Sequence, residues 1–130
     1  MKPPGRESWK ILEPEGVARP AAPYSPGLIV GDFVFLSGQI PAKEDGTFIT
    51  SDFVAQAHQV FRNLQRCLDA AGGSLDNVVR ITTYLSSFDY FQQYNDVYLL
   101  YFRPPFPART TIQVGLYGFD IEVDAVAVCS

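Results

Sequence analysis

The chain has little with which to bind a metal, form a disulfide or cross a membrane. It contains one histidine, His58, and two cysteines, Cys67 and Cys129, far apart in 130 residues. Neither type recurs at ligand spacing, so no metal site is expected. The N-terminus, Met1-Lys2-Pro3-Pro4-Gly5-Arg6, has no apolar stretch of the kind that directs secretion. Both thiols therefore read as free, in a reducing, cytoplasmic compartment. No apolar run approaches the roughly 18 residues that span a bilayer, so no membrane partner is expected. Positive charge is scarce too. Ten Lys and Arg against 14 Asp and Glu leave a net charge of −4, with no basic cluster, which argues against nucleic acid as the main partner. Gly72-Gly73 follows a helical stretch instead of opening one, so it is not a phosphate loop.

Apolar and aromatic residues are plentiful. The chain is 47% hydrophobic and 18% charged, with seven Tyr and ten Phe. That composition supports a packed core and leaves aromatic surface to spare for a subunit interface. The length suits one domain over residues 1–130.

Residues 1–27 carry Pro3, Pro4, Pro14, Pro20, Pro23 and Pro26 and read as an extended arm. Residues 1–22 form its outer part, with a short strand near Trp9 to Leu12. Leu28 to Ser37 predicts a hairpin about Gly31-Asp32. Asp45-Gly46 marks a turn before a short strand around Thr47 to Thr50. Ser51 is the expected N-cap of a first helix, whose apolar stripe is Val54, Ala57, Phe61, Leu64, Leu68 and Ala71. Gln56, Gln59, Arg62, Asn63, Arg66 and Asp69 fill its other side, and Gly72-Gly73 ends it. Val78 to Leu85 predicts a strand. Ser86-Ser87-Phe88-Asp89 resembles a capping box before a second helix with Phe91, Tyr94, Asn95, Tyr98 and Phe102 on one stripe, stopped by Pro104-Pro105. Arg109 to Leu116 and Ile121 to Val128 predict two more strands, joined by a tight Tyr117-Gly118-Phe119-Asp120 connection. The expected fold is α+β: a mixed sheet with two helices on one face. With no third helix, the other face is expected to be covered by oligomerisation.

Four segments in this order resemble the signature of the RidA imine/enamine deaminase family. They are Pro23-Tyr24-Ser25, Ser37-Gly38-Gln39-Ile40-Pro41, Asn77-Val78-Val79-Arg80, and a tail comprising Pro107-Ala108-Arg109-Thr110-Thr111 and Ile121-Glu122-Val123-Asp124-Ala125-Val126-Ala127. Asn95 and Tyr98 match an Asn-x-x-Tyr on the family's second helix, and Ala70-Ala71-Gly72 matches the end of its first. The likeness covers roughly residues 20–128. It implies a chorismate-mutase-like fold and a homotrimer whose sheets pack into a central barrel, with sites in clefts between subunits. It also implies cofactor-free hydrolysis of 2-imino or 2-enamino acids to 2-oxo acids and ammonia. The chain departs from the pattern between Arg109 and Glu122, which is shorter and has Gly118-Phe119 where the family has a Leu-Pro loop, and in its longer arm with Trp9.

The chemistry suits the residues. A carboxylate is best held by the planar fork of an arginine, and Arg109 opens a strand just after Phe106-Pro107-Ala108. From the residue alone, a surface or interface arginine in an ion pair is the plainer reading, and it is the family likeness that turns Arg109 toward function. Hydrolysis also needs a carboxylate to direct water. Glu122 starts a strand that carries apolar residues on both faces, and the burial expected there would raise its pKa. Tyr24 in the arm would cap a substrate held by a neighbouring subunit's Arg109, or simply pack. Thr111 lies two residues after Arg109 on the same face and would orient carboxylate or water, although β-propensity alone explains a threonine there. Asn95 sits on an apolar stripe, where a structural hydrogen bond competes with substrate contact. Asp124, His58 and Cys67 read as structural. Two other functions remain open: a pathway-specific enamine deaminase of the aminomuconate type, and a non-catalytic protein that binds small carboxylates.

Overall fold

The computed structural model describes residues 5–129; the part of the expected arm at residues 1–4, with Pro3 and Pro4, lies outside them. The elements are β1 (Lys10–Ile11), β2 (Gly27–Val30), β3 (Phe33–Gln39), α1 (Phe53–Ala70), β4 (Val78–Leu85), α2 (Phe91–Tyr101), β5 (Ala108–Gln113) and β6 (Ile121–Val128). One mixed sheet has the order β1-β2-β3-β6-β4-β5. The expected β2–β3 hairpin forms, with Val30 opposite Phe33 and Gly31 at φ 61°, a left-handed turn conformation that glycine adopts without a Cβ penalty.

The strand face that meets the helices buries Val34, Leu36, Ile81, Leu85, Ile121, Val123, Ala125 and Ala127. Against it α1 sets Ala57, Val60, Phe61, Leu64, Cys67 and Leu68, all fully buried. Phe61 is the hub, with its ring centroid 4.9 Å from Tyr101, 5.6 Å from Phe102 and 6.0 Å from Tyr94. Such pairs add to the free energy of area burial. No helix among the described residues is long and apolar enough to cross a membrane.

Several local expectations are corrected. The N-cap of α1 is Asp52, not Ser51; its carboxylate accepts from Ala55 N at 2.7 Å, a charged acceptor at the positive end of the helix. Thr47 to Thr50 forms no strand, only a bridge between Ala42 and Phe48. Gln56, Gln59 and Asn63 are buried, not solvated. Burial is tolerated because their amides are satisfied: Asn63 Nδ2 donates to the carbonyls of Ile40 and Ala42, and Gln59 donates to Asn63 Oδ1. Ser87 caps the single turn Phe88–Tyr90 ahead of α2, and the reciprocal capping box forms instead at Ser74 and Asn77.

The two tail strands take separate places in the sheet. β5 and β6 are not neighbours; β4 lies between them. β4 runs parallel to β5 and antiparallel to β6, with α2 as the crossover that a parallel pair requires. β6 is also buried on one face only. Glu122, Asp124 and Val126 are part-exposed on the face that no helix covers.

Candidate active site

Arg109 is the second residue of β5 and pairs with the buried Ile81, so its side chain lies on the helix side of the sheet. There α2 presents Phe91, Tyr94, Asn95 and Tyr98, three and four residues apart and hence on one face. The guanidinium carbon lies 4.9 Å from the Tyr98 ring centroid, 5.2 Å from Tyr94 and 5.7 Å from Phe91, close enough for cation–π attraction. Nη2 donates to Asn95 Oδ1 at 2.8 Å. The one ion pair among the described residues joins exposed Arg103 to Asp76, so Arg109 is a half-buried cation with no carboxylate beside it. Its remaining N–H groups present a planar fork suited to an anion.

Thr111 follows on the same face, opposite Thr83. Its hydroxyl is buried without a hydrogen-bond partner, as is that of Tyr98, and a buried unpaired hydroxyl is costly. Tyr94 is better satisfied, its hydroxyl bonding Thr83. Burial pushes the Tyr94 and Tyr98 phenols up, with Arg109 opposing the shift in both. The floor of the site is therefore neutral, and the guanidinium carries its only charge. Beside it lies a cavity of about 260 Å³ lined by Asn95, Tyr98, Leu99, Phe106, Pro107 and Arg109.

Glu122 occupies the second position of β6, opposite Tyr84, on the uncovered face. Burial raises its pKa, and the neighbouring Asp124 carboxylate raises it further. Asp124 is held by Tyr84, whose hydroxyl donates to Oδ2 at 2.9 Å. The Glu122 carboxylate packs against Gly38, where any Cβ would collide with it. The start of β6 is pinned by Asp120. Its carboxylate accepts from Gln56 Nε2 at 3.0 Å and Ser86 Oγ at 2.8 Å, and its own N–H donates to Gln56 Oε1 at 2.8 Å.

The side chain of Tyr24 is 54% exposed, at the end of an arm tied to β3 by the bond from Ser37 Oγ to the Ser25 carbonyl. It shares a cavity of about 190 Å³ with Gly38. The expected site residues thus fall into two groups. Arg109, Asn95 and Thr111 meet on the helix side, while Tyr24 and Glu122 both border Gly38. Arg109 and Glu122 do not meet within one chain. They are three residues apart along β4 and two strands apart across it, on opposite faces, which puts their α-carbons about 14 Å apart at ordinary strand spacings.

The aromatic floor under Arg109 was visible in the sequence only as a helical stripe, indistinguishable from core. Gly38 carried a signal, since a glycine inside a strand often marks a close approach. The pairing of Gln56 with Asp120, 64 residues apart, carried none. His58 bonds Tyr101 through Nδ1 at 2.7 Å and joins neither group. Cys67 is buried, its thiol pushed up to about 11. A wider groove of about 1370 Å³ between the arm and α1 contains none of Tyr24, Asn95, Arg109, Thr111 and Glu122, and its wall mixes charges of both signs.

The family model described as Endoribonuclease L-PSP matches residues 16–129. A RutC family protein of Pyrococcus horikoshii is 36% identical over 121 residues, which is 91% of this chain and 96% of the relative. The crystal structure of RidA from the Antarctic bacterium Psychrobacter superposes with a TM-score of 0.87 at 30% identity, over 92% of this chain and 98% of that one. The chain belongs to the RidA family. A further RidA-like structure, that of E. coli TdcF with bound serine, also gives a TM-score of 0.87 at 30% identity, over 93% and 99% of the two chains. In this RidA family member the connection before Glu122 carries Tyr117 and Phe119. There Phe119 packs edge-on against Phe48 at 5.4 Å and Tyr117 stands 92% exposed.

Proposed function

We propose that the protein hydrolyses reactive 2-imino or 2-enamino acids to 2-oxo acids and ammonia, as a homotrimer with each site shared between two copies. The observation that carries this reading is the Arg109 guanidinium, half-buried over three aromatic rings with no carboxylate partner. A buried cation left unpaired is unfavourable unless an anion completes it. TdcF, a structural relative, binds serine, which supports a small carboxylate as the ligand. Asn95 orients the fork, and Thr111 offers its unpaired hydroxyl next to it.

Arg109 holds the substrate carboxylate. Glu122 of a neighbouring copy accepts a proton from a water as that water's oxygen bonds to the imine carbon, and the C=N electron pair moves to nitrogen, which takes up a proton. The resulting aminol then collapses: its hydroxyl proton goes to solvent, replacing the one that nitrogen took up from it, C=O forms, C–N breaks, and nitrogen leaves as ammonia with the proton that Glu122 received. One imine and one water give one 2-oxo acid and one ammonia. Burial of Glu122 favours this role because a raised pKa makes it a stronger base. Tyr24, exposed beside Gly38, closes the cleft over the substrate. The RNA cleavage named in the family model finds no support in a chain of net charge −4.

The experiment generates 2-iminopropanoate or 2-iminobutanoate with an amino-acid oxidase while semicarbazide traps what remains. The protein is expected to lower the trapped fraction, and Arg109→Ala to abolish that effect. Binding of 2-oxo acids that depends on Arg109, with no imine consumed, would replace the enzyme by a carboxylate-binding protein. That second reading is favoured by one observation, the placement of Glu122 on the opposite sheet face from Arg109. Turnover of a larger enamine alone would instead indicate a pathway-specific deaminase.

A further inference from the structure

A 2-imino acid has a third part, the side chain on its α-carbon, which neither Arg109 nor Glu122 touches in the proposed reaction. The surroundings of Arg109 are specific about it. Of the six residues lining the adjoining cavity, Arg109 and Asn95 are bonded to each other, and the Tyr98 hydroxyl is buried away from solvent. The rest of the wall is apolar. Leu99 is 60% exposed and Phe106 is 47% exposed. Across the same cation, Phe91 and Phe88 are also exposed, stacked edge-to-face at 6.0 Å. Single exposed apolar residues are ordinary, but a group of them about one cation marks a binding surface.

Size points the same way. A liquid water takes about 30 Å³, so a cavity of about 260 Å³ has the room of several waters. An imino acid whose side chain is only a methyl group would leave most of that space wet against apolar walls. A branched or aromatic side chain would fill it and displace that water, at roughly 25 cal/mol per Å² of apolar surface covered.

We infer that the Arg109 cleft selects 2-imino acids with large apolar side chains, branched aliphatic or aromatic, over those carrying methyl or ethyl. The inference rests on the reading of Arg109 as the carboxylate anchor. The carboxylate pairs with the guanidinium at the inner end, and the apolar side chain lies along Leu99, Phe106 and Pro107.

The test compares imines formed by a D-amino-acid oxidase from D-phenylalanine, D-leucine and D-alanine, with kcat/KM read from the loss of semicarbazide-trapped product. The phenylalanine- and leucine-derived imines are expected to react about tenfold or more better than the alanine-derived one, the scale on which an apolar pocket discriminates. Leu99→Ser and Phe106→Ser, both at exposed positions that tolerate polarity, are expected to bring that ratio toward one. Equal or better turnover of the alanine-derived imine would overturn the selectivity and leave the deaminase reading intact. If no imine is consumed, calorimetry with phenylpyruvate and pyruvate decides: tighter phenylpyruvate binding, lost in Arg109→Ala, would keep the selectivity and remove the deaminase, and equal or no binding would remove both.

Discussion

Arg109 is held by geometry that a substitution can change one piece at a time. Removing the guanidinium in Arg109→Ala is expected to lower kcat/KM on an imine by about thirtyfold or more, the cost of losing a charge-assisted anchor of roughly 2–5 kcal/mol. Asn95 gives a sharper contrast. Asn95→Ala frees the fork and is expected to raise KM modestly. Asn95→Asp would set a carboxylate against the guanidinium and compete with the substrate for it. It should therefore raise KM well beyond Asn95→Ala while leaving the melting temperature unchanged or higher, and the opposite order would contradict the assigned role.

At Glu122 the prediction concerns pH. Burial, then Asp124, raises its pKa, and the proposed general base must be ionised to work, so the acid limb of kcat/KM is expected above the usual glutamate range. Asp124→Asn keeps an acceptor for the Tyr84 hydroxyl and removes the lesser cause, so the limb should shift downward only in part. The folded-state value lies above the unfolded one. The stability gained from the protonated form is therefore complete below the unfolded value and is lost as pH rises through the folded value. Glu122→Gln, which cannot ionise, is expected to melt higher than the wild type at neutral pH, with the difference vanishing in acid. Both proposed site residues were singled out in the sequence by the Pro-Ala-Arg and Ile-Glu-Val-Asp motifs. What the motifs could not express was their opposition across the sheet, because strand parity is fixed only once each strand has a partner.

Among the elements, α1 shows how far periodicity carries. Ala57, Phe61, Leu64 and Leu68 are buried as their spacing required. Val54 at the edge of the same stripe is 38% exposed, because the sheet beneath the first turn gives it no cover. The buried amides went unread because periodicity treats every glutamine as solvated, whereas Gln56 and Asn63 tie α1 to loops distant in sequence and Gln59 braces Asn63 within the helix. Gln56 is the most consequential, for it clamps Asp120 two residues before Glu122. Gln56→Leu would leave the Asp120 N–H unpaired and is expected to cost about 1–3 kcal/mol, measured by urea unfolding. It should also lower kcat on the imine by misplacing Glu122. Phe61→Ala, at the centre of the helix pair, is expected to cost about 3–5 kcal/mol with no such separate effect on turnover per folded molecule. The place of β5 and β6 in the sheet could not be read from their connection, because the strand that pairs with both, β4, comes earlier in the chain.

At the scale of the molecule, one sheet face has helices and, among the described residues, the other has none. The second face carries Phe33, Phe35 and Val128, all exposed, alongside Glu122 and Asp124. Apolar surface of that kind is expected to be buried against further copies of the chain, and sedimentation should report a trimer. The proposed trimer would bring Arg109 of one copy to Glu122 of the next, which the sheet forbids within a copy. The most direct measurement mixes two inactive proteins, Arg109→Ala and Glu122→Ala, through unfolding and joint refolding, and follows imine loss. If each site takes its arginine and its glutamate from different copies, random assembly of equal parts restores both groups at about a quarter of the sites, and activity should return to about that fraction of wild type. Activity that stays at the level of the separate variants, from trimers shown to contain both chains, would contradict the shared site.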